Sequence, residues 1–359
     1  MEYCEELYHM ARLSLTGRRQ DILSYIRRLA RKYAGDDGLD NKLLGLLKDA
    51  PTEESPIRGA AITSIPVDQD SRLNLVRYEE PKDLDFNPIW NEAVKGSLDQ
   101  FINERKKEYA LISAGLSPSK SMLCHGTPGV GKTLAARWIA NKLNRPLLTL
   151  DLSAVISSYL GRTGINIRHV LDYAKGFDCV LMLDELDAIA KRRDDSGEIG
   201  ELKRLVTVLL QEIDDWPESG VLLAATNHPS LLDPAVWRRF DNVIEFVGPD
   251  INDISLVLKE YLGKQNLDDD KRLCLAFLYE GSSYSDIHRN ILELRRKAIL
   301  ANLDLNDVFV EHIKQQCAEL PKKSRKTIAT KLISGGYTQR KASELTGVSR
   351  VTIRKSLNE

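Results

Sequence analysis

Eight residues, "GTPGVGKT" from Gly126 to Thr133, constrain this chain more than any other stretch. They fit the pattern G-x-x-x-x-G-K-S/T. They follow the apolar "SMLCH" and lead into "TLAARWIANKL", which has helical character. A strand, a glycine-rich turn and a helix in that order form a phosphate cradle. Glycines let backbone N–H groups turn inward around phosphate oxygens, and the helix N-terminus adds a partial positive charge. Gly126, Thr127, Pro128, Gly129, Val130, Gly131, Lys132 and Thr133 are therefore expected to bind nucleotide. Lys132 would reach the β- and γ-phosphates, and Thr133 would be a ligand of Mg2+. ATP and Mg2+ are the expected cofactors.

"VLMLDE" (180–185) supplies the complementary half. Its apolar residues read as a buried strand that ends in two carboxylates. Alone, such a strand could simply end in solvated acids. Downstream of a phosphate loop, Asp184 is expected to hold the Mg2+ shell, and Glu185 to polarise the attacking water as a general base. "VLLAATN" (221–227) is another buried strand ending in a polar side chain. Strand ends of this kind line the ligand crevice, so Asn227 is a candidate to hold the water or the γ-phosphate.

The short apolar runs "MLCH", "LLTLDL", "VLMLD", "VLLAAT" and "NVIEF" alternate with amphipathic stretches of helical period. That alternation predicts an α/β fold with a mostly parallel sheet over residues 84–250. Residues 251–320 read as a helical lid, and 1–50 as an N-terminal helical hairpin. In the hairpin, Ile22, Ile26, Leu29 and Tyr33 form one stripe with arginines on the other side. Residues 51–83 read as a linker or extended segment.

With 359 residues, 42% hydrophobic and 29% charged, the chain has the size of two or three domains and the composition of a soluble globular protein. The formal net charge of −1 argues against a globally basic nucleic-acid binder. No apolar run approaches the roughly 18 residues needed to span a bilayer. The acidic, polar "MEYCEELYHM" is not a secretory signal. The five cysteines are scattered without a C-x-x-C pair, which argues against zinc and disulfides. A reduced, cytoplasmic protein with no membrane association is expected.

These motifs, in this order, resemble those of the AAA+ ATPases, with the closest likeness to the spastin, katanin and FtsH-like branch. "LSPSKSMLCHGTPGVGKT", "LDELDAIAKRR" and "ATNHPSLLDPAVWRRFD" carry the resemblance, which runs over residues 84–300. It implies a P-loop αβα domain with a small helical lid, and a homo-oligomeric ring, usually a hexamer, with nucleotide at subunit interfaces. Asn227 matches the family's sensor 1. Arg239, before Phe240 and Asp241, matches the arginine that reaches a neighbour's ATP. The family's second arginine is replaced by Asn242, and Arg238 is the residue that could compensate. In "GSSYSDI" (281–287), Tyr284 and Ser285 stand where the branch carries Gly and Ala. "SSYLGRTG" resembles the branch's pore loop, with Tyr159, Leu160 and Gly161 at the aromatic, hydrophobic and glycine positions. An aromatic ring there can grip any extended chain. "RRDDSGE" (192–198) would be a second pore-facing loop.

Residues 321–359 change character. Lys322, Lys323, Arg325, Lys326, Lys331, Arg340, Lys341, Arg350, Arg354 and Lys355 face only Glu344 and Glu359. "TQRKASELTG", capped by Thr338, and "RVTIRKSLN", capped by Ser349, flank the turn "GVS". Ala342, Leu345, Val348, Ile353 and Leu357 give a small core. The segment resembles a resolvase-type helix-turn-helix, which implies DNA binding through Ser349, Arg350, Thr352 and Arg354. The expected function is an ATP-driven ring that threads or remodels a protein client, with a DNA-binding tail. The alternatives are an ATP-switched DNA-binding oligomer of mobile-element or antiviral-defence type, and an unfoldase that serves a separately encoded protease. No H-E-x-x-H occurs, so any peptidase would be a separate chain.

Overall fold

The computed structural model describes residues 19–33, 42, 66, 74–84, 86–158, 163–188, 199–262 and 267–357. The chain divides into two compact units. The first comprises residues up to 83, 96–126 and 132–245; the second comprises 84–95, 127–131 and 246–359. The described strands are β1 (Arg77–Glu79), β2 (Ser121–Gly126), β3 (Leu147–Asp151), β4 (Val180–Asp184), β5 (Val221–Thr226) and β6 (Asn242–Phe246). The helices comprise α1 (Arg19–Lys32), α2 (Glu92–Lys106), α3 (Glu108–Ser113), α4 (Lys132–Leu143), α5 (Leu152–Ser158), α6 (Thr163–Lys175), α7 (Ile199–Asp214) and α8 (Pro234–Trp237). They continue with α9 (Ile251–Leu262), α10 (Asp269–Leu278), α11 (Tyr284–Ala301), α12 (Leu305–Glu319), α13 (Lys322–Ser334), α14 (Gln339–Thr346) and α15 (Arg350–Leu357).

The first unit is built on a six-stranded sheet in the order β1-β3-β4-β5-β2-β6. β3, β4, β5 and β2 run parallel. All of β5 and the first four residues of β4 are buried. Strands covered on both faces read as continuous apolar runs, which is why the sequence marked them. The parallel register brings Asp151 beside Asp184, so the polar strand ends share one rim. The stretch read as a linker contributes more than a connection. Arg77–Glu79 pairs antiparallel with β3 as an edge strand. Glu79 joins it to α4 through Arg137, whose Nε lies 2.9 Å from the carboxylate.

Of the expected N-terminal hairpin, α1 is described and packs against α3; the second helix lies outside the described residues apart from Lys42. The buried face of α1 is not the aliphatic stripe alone. Tyr25, Leu29 and Ala30 are buried together with Arg27. Arg27 was expected on the solvent side, but it lies 3.2 Å from Glu108. Only Nη2 of the guanidinium meets that carboxylate; Nε and Nη1 are buried without a hydrogen-bond partner among the described residues.

The second unit has its own apolar core, in which Ile254, Leu275, Ile287, Ile291, Phe309 and Ile313 are fully enclosed. Ile328, Leu332, Ala342, Leu345, Val348 and Ile353 belong to that same core. The basic helices α13 to α15 are thus built into the interior shared with α9 to α12. Leu357, expected in a small core of their own, is 41% exposed. Thr338 caps α14 by accepting from the Lys341 N–H. Gly347 takes a left-handed φ of 67° to turn the chain, and the Ser349 hydroxyl accepts from the Thr352 N–H at the start of α15.

Candidate nucleotide site

In the first unit, β2 ends at Gly126 and α4 begins at Lys132. Lys132 is buried, and its Nζ donates to the Gly126 carbonyl and to Asn227 Oδ1, each at 2.7 Å. The Thr133 hydroxyl donates to Asp184 Oδ2 at 3.3 Å. The Glu185 N–H donates to the other oxygen of Asp184 at 3.0 Å. Residues from three separate strand ends, expected to act together, do converge: Lys132 and Thr133, Asp184 and Glu185, and Asn227. Glu185 holds a left-handed φ of 55° with its side chain exposed. That conformation is uncommon outside glycine and costs of order 1 kcal/mol or more.

Burial pushes the Asp184 carboxyl above its ordinary value, against the opposing hydrogen bonds from Glu185 and Thr133. Burial pushes the Lys132 ammonium below its ordinary value, against the attraction of Asp184. The hydroxyl of Thr133 and the carboxylate of Asp184 are hard oxygen donors of the kind Mg2+ takes, beside an ammonium suited to phosphate. The residues present fit Mg2+ and a nucleotide polyphosphate.

In the second unit, the turn from Thr127 to Gly131 shows why glycine is required. Gly129 has a φ of 80°, and a Cβ there would come within 2.5 Å of Ser283 Oγ. The Gly129 carbonyl accepts from the Ser285 N–H at 3.1 Å. Gly131 has a φ of 95°, and a Cβ would lie 2.9 Å from the indole nitrogen of Trp90. The Ser283 hydroxyl caps α11 by accepting from the Asp286 N–H. Ser285, an exposed departure from the family pattern, thus makes this contact through its backbone. Tyr284, the other departure, is buried and donates its hydroxyl to Asp253 at 3.4 Å.

Arg239 forms an ion pair with Asp214 at the end of α7, and Arg238 is exposed. Asp241 accepts from the Lys120 and Ser121 N–H groups and from the Ser121 hydroxyl, which anchors the segment after Arg239 to the start of β2. Tyr159, Leu160 and Gly161 lie outside the described residues, as do 192–198. Among the DNA-contact candidates, Arg350 is exposed, Ser349 and Thr352 share a hydroxyl hydrogen bond of 2.8 Å, and Arg354 donates to Gln339 at 2.9 Å. Sequence reasoning passed over Asp187, Asp214 and Asp241. Asp187 was the most findable, because it is the last acid of "DELD" just beyond the buried strand.

Residues 122–247 match the model of the ATPase family associated with various cellular activities (AAA). The AAA family ATPase y4kL of Sinorhizobium fredii is 42% identical over 238 residues, which cover 66% of this chain and 71% of that protein. The proteasome-activating nucleotidase of Methanocella arvoryzae is 32% identical over 264 residues, covering 69% of this chain and 62% of its own. The ATPase family gene 2 protein of Saccharomyces cerevisiae is 34% identical over 205 residues, covering 53% of this chain and 25% of its own. Among the described residues, no helix is long and apolar enough to cross a membrane.

Proposed function

Because the chain belongs to the AAA family of ATPases, we propose that it works as a homohexameric ring that uses ATP hydrolysis to thread or remodel a protein client. ATP and Mg2+ are its cofactors, as for the family. The observation that carries the site reading is the convergence of Lys132, Asn227, Thr133 and Asp184 at the strand ends of one sheet. Lys132 would exchange Gly126 and Asn227 for phosphate oxygens. Thr133 and Asp184 would hold Mg2+, which supplies charge neutralisation at the phosphates when bound. Glu185, next in the chain to Asp184 and exposed, would take the proton of the attacking water. Asn227 would orient that water or the γ-phosphate.

Arg239 would act in trans. A guanidinium beside a neighbour's γ-phosphate offsets the charge that develops during transfer. To do so it would exchange the Asp214 carboxylate for phosphate oxygens. Arg238, exposed beside it, is the second cation available to that interface. Tyr159, Leu160 and Gly161 would grip the client in the central channel. The proteasome-activating nucleotidases among its relatives support a protein substrate.

The test is ATP turnover per subunit against protein concentration, followed by unfolding of a fluorescent protein that carries an unstructured tail. Turnover should rise steeply to a plateau, and Tyr159→Ala should abolish unfolding while ATP binding persists. Concentration-independent turnover would sink the ring, and unfolding unchanged by Tyr159→Ala would sink the pore grip.

A second role rests on charge. Residues 321–359 carry ten Lys and Arg against two Glu in a chain whose net charge is −1. Arg340, Lys341, Arg350, Arg354 and Lys355 are exposed. The helices α14 and α15 would form a helix-turn-helix, with α15 in the major groove of duplex DNA. The partner is then a nucleic acid held by α15, in addition to the protein client.

A further inference from the structure

Asp187 lies just after β4 and is 4% exposed. A carboxylate so deeply placed is costly unless its oxygens are hydrogen-bonded. Its Oδ1 accepts from the Thr226 hydroxyl at 2.9 Å and from the Asn227 N–H at 3.3 Å. The Thr226 hydroxyl in turn accepts from the His228 N–H at 3.0 Å, so the turn from Thr226 to His228 is tied at both ends. One backbone bond reinforces the link: the Leu186 N–H donates to the Ala225 carbonyl at 2.9 Å. The segment carrying Glu185 and the segment carrying Asn227 are therefore stapled to each other. At the far end of this chain of contacts, Asn227 Oδ1 meets Lys132.

We propose that Asp187 is a positioning residue for ATP hydrolysis: by holding the backbone of Asn227, it fixes where the Asn227 side chain stands relative to Lys132 and Glu185. The proposal rests on the reading of Asn227 as part of the hydrolytic site. Its charge also attracts Lys132, but its hydrogen bonds to the Thr226 hydroxyl and the Asn227 N–H hold the turn that carries Asn227, and the proposed effect passes through that turn. A misplacement of about 1 Å at such a side chain is enough to slow turnover by about a hundredfold. Ground-state binding, which the phosphate loop supplies, should change little.

The experiment is a double-mutant cycle on the full chain, read as kcat and KM for ATP at a protein concentration where turnover per subunit is constant. Asp187→Ala should lower kcat by about tenfold or more, with KM within about threefold of wild type. Asp187→Asn keeps an acceptor oxygen for Thr226 and Asn227, and should stay within about threefold of wild type in kcat. Asp187→Ala combined with Asn227→Ala should fall no more than about threefold below Asn227→Ala alone, because both act through one side chain. Multiplied losses in the double variant, or wild-type kcat in Asp187→Ala, would overturn the proposal. If Asn227→Ala itself keeps wild-type kcat, the reading of Asn227 fails, and this is visible without reference to Asp187. Should Asp187→Ala not fold, Thr226→Val removes the hydroxyl that donates to Asp187 at nearly constant volume. It must then lower kcat with KM unchanged, or the proposal falls.

Discussion

The ammonium of Lys132 rests 2.7 Å from the amide oxygen of Asn227, a residue 95 positions further along the chain. The lysine is thus tied to the side chain proposed to orient the attacking water or the γ-phosphate. The two residues should separate in their effects. Lys132→Ala should abolish binding of a fluorescent ATP analogue. Asn227→Ala should leave binding within about threefold while turnover drops by about tenfold or more. Equal losses of binding in both variants would contradict this division.

Glu185, the proposed general base, also holds a left-handed backbone. Glu185→Gln should keep ATP binding and slow turnover by about a hundredfold or more. Glu185→Gly should be as inactive, yet its φ of 55° suits glycine, so folding stability should rise by about 1 kcal/mol. Thermal melting of the two variants decides the point: a lower midpoint for Glu185→Gly than for Glu185→Gln would show that the left-handed backbone is not strained.

Because α13 to α15 share the interior of α9 to α12, deleting 321–359 should destabilise the second unit rather than cleanly remove a nucleic-acid site. Loss of Ile328, Leu332 and Leu345 leaves cavities worth about 2–5 kcal/mol each. Arg350→Ala with Arg354→Ala should leave the melting midpoint unchanged. The pair should weaken binding of a labelled duplex at about 50 mM salt and reduce the salt slope by about two. A duplex affinity unaffected by this pair would remove α15 as the contact helix.

Three histidines are held below their ordinary pKa of 6.5 by burial: His125, His288 and His312. Their neutral forms are favoured in the folded chain, so the unfolded chain binds more protons as pH falls through that value. Stability should therefore be complete above about pH 7 and decline between about pH 6.5 and 5. At His312, Nε2 lies 3.1 Å from the Tyr279 hydroxyl, and protonation would remove an acceptor. His312→Asn should flatten the decline, measured as melting midpoint against pH; a midpoint that rises on acidification would contradict the sign.

The strand–turn–helix from Ser121 to Leu143, the strand ending at Asp184 and the strand just before Asn227 were legible because each is compressed into a short contiguous motif. What stayed hidden depends on pairs far apart in the chain. Burial of Arg27 follows from Glu108, 81 positions away, and no local pattern announces it. β1 is three residues long, too short for alternation to register, and is a strand because β3 offers it an edge. The change to basic composition at 321 looked like a boundary, yet charge reports the outer face of α13 to α15 only. Their inner residues, Ile328, Leu332 and Leu345, continue the interior already begun at Ile254.

Only Leu320 and Pro321 separate α12 from α13. With two residues between them and a common interior behind them, the basic helices have no slack. A flexible leash would let a bound partner sample a volume set by its length. Here anything gripped by Arg350 and Arg354 is held at one distance and one angle from α11.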